Sequence, residues 1–180
     1  STRSAKSSSS RSFATRMERH FTVTGFLVHE GRTMLIWHTK NRMWLPPGGH
    51  VDEGEEPEEA VLREIAEEAG VQARVLPTHP ARSFAEPRQV PRPEAILLED
   101  INEPGRPHQH IDLIYYCAPV PGAPLGEPDG IARWLGPAEL DGDTPLEYAP
   151  GESAAVPQDV RVLALEAIMH VSRTIETQGT

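Results

Sequence analysis

Residues 49–71 read GHVDEGEEPEEAVLREIAEEAGV and hold nine residues at set offsets: Gly49, Glu55, Arg63, Glu64, Ile65, Glu67, Glu68, Gly70 and Val71. Asp52 or Glu53 with Gly54 leads into strong helix formers. Pro57 is tolerated only in a first turn, and Gly70 suits a left-handed cap, so the pattern predicts a helix over residues 56–69. At about 100° per residue, Leu62, Ile65, Ala66 and Ala69 make one apolar stripe, with Glu64, Glu67 and Glu68 gathered on the other side. A solvated acidic helix is the ordinary fate of such a charge run. That reading gives Gly49, Arg63 and Gly70 no reason for their spacing.

Three like charges on one face are costly without a partner, and a hard divalent cation among them removes the cost. Oxygen-only ligands favour magnesium, with manganese able to substitute. A bound cation inverts the local sign, so the same face can grip a diphosphate and lower the pKa of a coordinated water. Hydrolysis of a phosphoanhydride is the chemistry this implies. Arg63 can orient a neighbouring carboxylate through charge-assisted hydrogen bonds. Upstream, residues 44–49 read as a short strand running into a Gly-rich loop whose backbone can approach a metal or phosphate closely.

The run over residues 49–71 resembles the Nudix box, and the chain is identified on it as a member of the Nudix hydrolase family. The resemblance is specific over residues 44–71, weaker from residue 21 and on through residue 140, and absent over residues 1–18 and 141–156. It implies an α/β/α sandwich on a mixed sheet. It also implies a metal held by Glu64, Glu67 and Glu68 with a carbonyl of Gly48 or Gly49, and catalysis carried by Glu67, Glu68 and Arg63. Family members often place a further acidic residue in a late loop, here Glu127 or Asp129. Glu86, Glu94 and Glu99 are rivals from an earlier loop, and the choice of general base among them and Glu68 stays open. The alternative to an enzyme is a Nudix-fold sensor that binds a nucleotide or metabolite without cleaving it. A sensor has no need of all three carboxylates, and all three are present.

At 180 residues, with 38% hydrophobic content, the chain suits one domain. The expected limits are a tail over residues 1–18, flexible or vector-derived, a domain over residues 19–176 and a C-terminal tail over residues 177–180. The net charge of −10 argues against nonspecific nucleic-acid and anionic-membrane binding. No run of 18 apolar residues and no signal-peptide core is present, which points to the cytoplasm, although the Arg/Ser-rich start also mimics a transit peptide. The expected partner is a nucleotide-type small molecule, and a homodimer is compatible with the sequence. Cys117 lies in an apolar run and reads as a buried small hydrophobe.

Strands are expected over residues 21–29, 33–38, 72–76, 95–99, 109–118 and 131–135, with a turn at Glu30-Gly31. Five prolines (Pro77, Pro80, Pro87, Pro91 and Pro93) break residues 77–93 into a loop. The longer stretch over residues 77–107 is expected to wall the substrate pocket. Residues 141–156 read as a loop. Val160, Leu163, Ala164, Ala167, Ile168, Val171 and Ile175 give a terminal helix its apolar face.

Candidate substrate contacts are Trp44, His110, Asp112, Glu127 and Asp129, with Trp44, Phe84 and Tyr115 able to stack a base. His108 and His110 have the His-x-His spacing of some transition-metal sites, but no third ligand lies nearby in sequence, so a substrate-contact or loop role is expected. Asp141-Gly142-Asp143 reads as a turn. Some ADP-ribose-cleaving relatives carry a Pro sixteen residues past the box, where Pro87 stands, but in so Pro-rich a loop the match is cheap. Signatures of the dinucleoside-polyphosphate, coenzyme A and NADH subfamilies are not evident. Nucleoside triphosphates and nucleotide sugars such as ADP-ribose lead.

Overall fold

A long strand organises the sheet. In the computed structural model, which describes residues 17–178, Arg19–His29 (β1) keeps Phe26, Leu27 and Val28 buried on both of its faces. One edge of β1 pairs in parallel with His108–Pro119 (β7), setting His20 against His110 and Thr22 against Asp112. The other edge is divided. Val28 and His29 pair with Arg32–His38 (β2), while Thr22, Val23 and Thr24 pair with Gly48–His50 (β4). Met43–Leu45 (β3) and Ala132–Leu135 (β8) flank β2, and Ala73–Val75 (β5) and Ala95–Ile101 (β6) share the outer edge of β7.

Pro57–Ala69 (α1) covers one face of this mixed sheet and Gln158–Gln178 (α3) the other, with the short Pro137–Leu140 (α2) beside α3. Val23, Leu27, Leu113, Tyr115 and Cys117 pack under Val61, Ile65 and Ala69 of α1. Phe26, Ile114 and Tyr116 pack under Val160, Ala164 and Val171 of α3. This is the expected α/β/α sandwich. At Gly25 a Cβ would stand 2.7 Å from Ile65 Cδ1 and 2.8 Å from Val61 Cγ2, so the missing side chain lets α1 seat closely on β1.

Several expected elements shift. Residues 48–50 are a ladder strand rather than a loop, because β1 extends past β2 and leaves an edge to be paired. The buried stripe of α1 is Ala60, Val61, Ile65 and Ala69, while Leu62 is half-buried and Ala66 faces solvent. The stretch over residues 141–156 contains a hairpin, Leu146–Ala149 (β9) with Glu152–Ala154 (β10). Ile175 of α3 is exposed. The helix takes in residues 177 and 178 of the expected C-terminal tail, and residues 179–180 lie outside the described residues. Of the expected N-terminal tail, residues 1–16 lie outside the described residues, whereas Glu18 is tied to the sheet through Arg106 and His20. Among the described residues no helix is long and apolar enough to cross a membrane.

Candidate active site

The box folds as a short strand, a turn and a helix. Glu56 caps α1 with its backbone N–H donating to Glu59 Oε2 at 3.0 Å, a capping-box contact. Gly70 ends the helix at φ 68° and ψ 23°, as the sequence predicts, and a Cβ there would also press on the Glu127 backbone.

Arg63 ties the turn to the helix. Its Nε and Nη2 donate to the two oxygens of Glu55 at 2.9 and 3.1 Å, Nη1 donates to Glu64 Oε1 at 2.7 Å, and Nη2 also donates to the His50 carbonyl at 3.1 Å. Glu67 Oε2 lies 3.5 Å from Nη1. The hydrogen bonds that Arg63 donates to Glu55 and Glu64 push the guanidinium pKa further up, and those to Glu55 hold its carboxyl below its usual range. Arg63 thus stays charged and fixes two carboxylates that would otherwise repel.

Glu68 is held differently. It is half-buried, accepts a hydrogen bond from Gly48 N–H at 3.0 Å, and has no cationic partner among the described residues. Burial raises its pKa most, and the charges of Glu64, Asp129 and Glu67 raise it further against the lowering pull of Gly48. At Gly49 a side chain would overlap the Glu64 carboxylate and would have to push it from its place beside Arg63. Oxygen donors, one carboxylate lacking a counter-charge and a backbone brought within a side chain's width together fit a hard divalent cation. Glu64, Glu67 and Glu68 are the side chains that would hold it.

The late loop separates its two acids. The Asp129 N–H donates to the Glu68 carbonyl at 2.8 Å and its charge is felt by Glu68, whereas the Glu127 backbone packs on Gly70 at the end of α1. Among the rivals, Glu94 accepts from Thr78 N–H at 2.8 Å beside Tyr116 and Glu166, on the α3 side of the sheet. Glu99 stands opposite His110 on β6, where burial, then Asp112 and Asp159, push its pKa up to about 7. Neither is among the charges felt by Glu68.

Two proposed substrate contacts need correction. Trp44 is 0% exposed, packed in the α3-side core, and its Nε1 donates to the Leu146 carbonyl at 3.3 Å. The β9–β10 hairpin supplies that acceptor, so no face of Trp44 is offered to a base. Tyr115 is likewise enclosed under α1, while Phe84 is exposed in the loop. Asp112 is 5% exposed and already accepts the hydroxyls of Thr22 at 2.9 Å and Thr24 at 2.7 Å, with its pKa raised by burial. Its carboxylate locks β7 to β1 instead of meeting a ribose.

A hollow of about 690 Å³ opens beside the box, lined by His20, Phe21, His50, Val51, Asp52, Glu55, Pro57 and Leu113. Residues 77–107 do not line it, against expectation, because both ends of the Pro-rich loop lead into strands on the outer edge of β7. Arg88 of the loop pairs with Glu56, between the lining residues Glu55 and Pro57. His110 stands near the hollow in a group of four imidazoles with His20, His50 and His108. Burial first, then the neighbouring His50, His108 and His20, bring its pKa down to about 4. Sequence reasoning missed His20, His50 and Phe21, since only the register of β1 with β4 and β7 brings them here.

The model of the NUDIX domain matches residues 18–158 of this chain. The fold is similar to the crystal structure of a NUDIX-family hydrolase from Clostridium perfringens, at 26% identity and TM-score 0.61, covering 84% of this chain and 97% of that one. A MutT NUDIX hydrolase from Burkholderia pseudomallei is similar at 19% identity and TM-score 0.47, covering 86% and 98%. With the family model spanning most of the sequence and the complete box folded as β4, turn and α1, the chain belongs to the Nudix family of pyrophosphohydrolases.

Proposed function

We propose that the chain hydrolyses a phosphoanhydride bond in a nucleoside diphosphate linked to another moiety, a nucleoside triphosphate or a nucleotide sugar such as ADP-ribose, and that it needs a divalent cation to do so. The observation that carries this is Glu68: half-buried, gripped by Gly48 N–H, and set against Glu64, Glu67 and Asp129 with no cationic side chain paired to it among the described residues. Magnesium bound there would neutralise the diphosphate and acidify a coordinated water, and manganese would serve in its place.

The chain's own groups divide the remaining work. Arg63 holds Glu64 and Glu55 in place and keeps the turn over residues 50–56 against the helix. Glu68, with its raised pKa, is suited to take a proton, and Asp129 is the acid outside the box that acts on it. The flanking group of the substrate would enter the hollow between Phe21, which is 57% exposed, and Leu113.

The test is a panel of nucleoside triphosphates and nucleotide-sugar diphosphates, read by phosphate release after a coupling phosphatase, with and without magnesium. Cleavage of at least one member only when magnesium or manganese is present is expected. Turnover undiminished in excess chelator would sink the metal-dependent reading.

A further inference from the structure

Four imidazoles, carried by β1, β4 and β7, meet at one end of the sheet. His20 and His110 are register partners on β1 and β7, His108 lies two residues before His110 on the same face, and His50 on β4 is the partner of Thr22. Ring centroids of His50 and His110 lie 5.0 Å apart, those of His20 and His50 5.5 Å, and those of His108 and His110 5.1 Å. One nitrogen from each of His20, His50 and His110 lies within 4.8 Å of the other two.

The hydrogen bonds around these rings assign their protons. His108 Nδ1 faces the Arg106 carbonyl at 2.9 Å, which can only accept, so Nδ1 carries the hydrogen and His108 Nε2 is the acceptor. His110 Nε2, 3.2 Å away, must then donate to it, leaving His110 Nδ1 with a lone pair. His20 Nε2 lies 2.8 Å from Glu18 Oε1 and donates to that carboxylate, leaving His20 Nδ1 with a lone pair too. Arg106 holds Glu18 through Nη2 at 2.9 Å and Nε at 3.3 Å. His50 is exposed and makes no hydrogen bond through its ring among the described residues, so it is free to turn.

A ring that donates one N–H to a carboxylate, or to a fixed outer acceptor, while keeping its second nitrogen bare is the arrangement that orients metal-ligating histidines. We propose that His20, His50 and His110 form a site for a borderline divalent transition ion, zinc foremost, with Glu18 and His108 as the outer partners that set the tautomers. Zinc–nitrogen bonds of about 2.0–2.1 Å in tetrahedral geometry place ligand nitrogens about 3.3 Å apart. His50 supplies the closing movement. Because His20 and His50 also line the hollow, an ion there stands at its wall, and three protein ligands leave a fourth position for water or a ligand.

The site is independent of the magnesium reading, and the experiment keeps the two apart. Metal-stripped, untagged full-length protein is titrated with cobalt(II) in saturating magnesium, which occupies the oxygen-rich box. One equivalent of intense visible d–d bands of low-coordinate, nitrogen-bound cobalt is expected, and zinc should abolish them. His50→Ala, at an exposed ring that does not support the fold, and His110→Ala should each remove the bands, whereas Glu67→Gln should leave them. Glu18→Gln should weaken cobalt binding about 10- to 100-fold through the lost outer partner. Only weak octahedral bands, or bands that survive both His50→Ala and His110→Ala, would overturn the proposal.

Discussion

Glu67 and Glu68 lie one residue apart, yet they meet different surroundings. Glu67 is exposed and loosely paired with Arg63, while Glu68 is half-buried and bonded to Gly48 N–H. Glutamine at either position keeps the size and one carbonyl oxygen, so Glu68→Gln retains an acceptor for Gly48 while shedding a charge that Glu64 and Asp129 oppose. The melting temperature of the metal-free protein should hold or rise in both variants, and turnover should fall by roughly a hundredfold or more. Glu58→Gln is the control off the metal face. Near-normal turnover in both box variants would defeat the assignment. These residues were legible in the sequence because a single helix turn sets their spacing. Asp129 was legible only as half of a pair, since its approach to Glu68 depends on how the late loop returns past α1. Of the trio of histidines, His110 was legible as part of a His-x-His pair whose third ligand could not be seen, since residue 20 meets residue 110 only through strand register.

Among the elements, α1 and α3 followed from 3.6-residue periodicity, and β1, β2 and β7 from runs of β-branched and aromatic residues. The β9–β10 hairpin did not. Its strands are short, and Gly142, Pro145, Pro150 and Gly151 surround them with the residues that mark loops. What fixes the hairpin is tertiary: Tyr148 stacks on Trp37 with centroids 3.7 Å apart and planes 4° from parallel, and Arg133 donates to the Glu147 carbonyl at 2.8 Å. Tyr148→Ala should therefore destabilise the domain by about 1 kcal/mol or more, because an aromatic pair contributes that order beyond its buried area. The expected signature is a lower urea midpoint with an unchanged slope. A midpoint equal to that of the parent would show that the hairpin lies on β2 without holding it. The Pro-rich loop was legible as a loop, but its place was not, since sequence does not show that β5 and β6 both leave from one edge of β7.

For the molecule as a whole, Cys117 reports on the cooperative unit. It is 0% exposed at the centre of the sheet beneath α1, and burial pushes its thiol pKa well up, so little thiolate forms near neutral pH. A maleimide should label it only as fast as the domain opens globally, and at once in denaturant. Rapid labelling under native conditions would mean that α1 lifts from the sheet on its own. The parallel pairing of β1 with β7 has a consequence in time. It joins residues 90 positions apart, Arg19 to Gln109, so the closing of a very long loop must precede the contacts that reward it. During synthesis, β2, β4 and α1 all leave the ribosome before β7 exists. The helix that bears the box is made early but has only half a sheet to rest on, and its apolar stripe stays open to chaperones until residues 108–119 arrive.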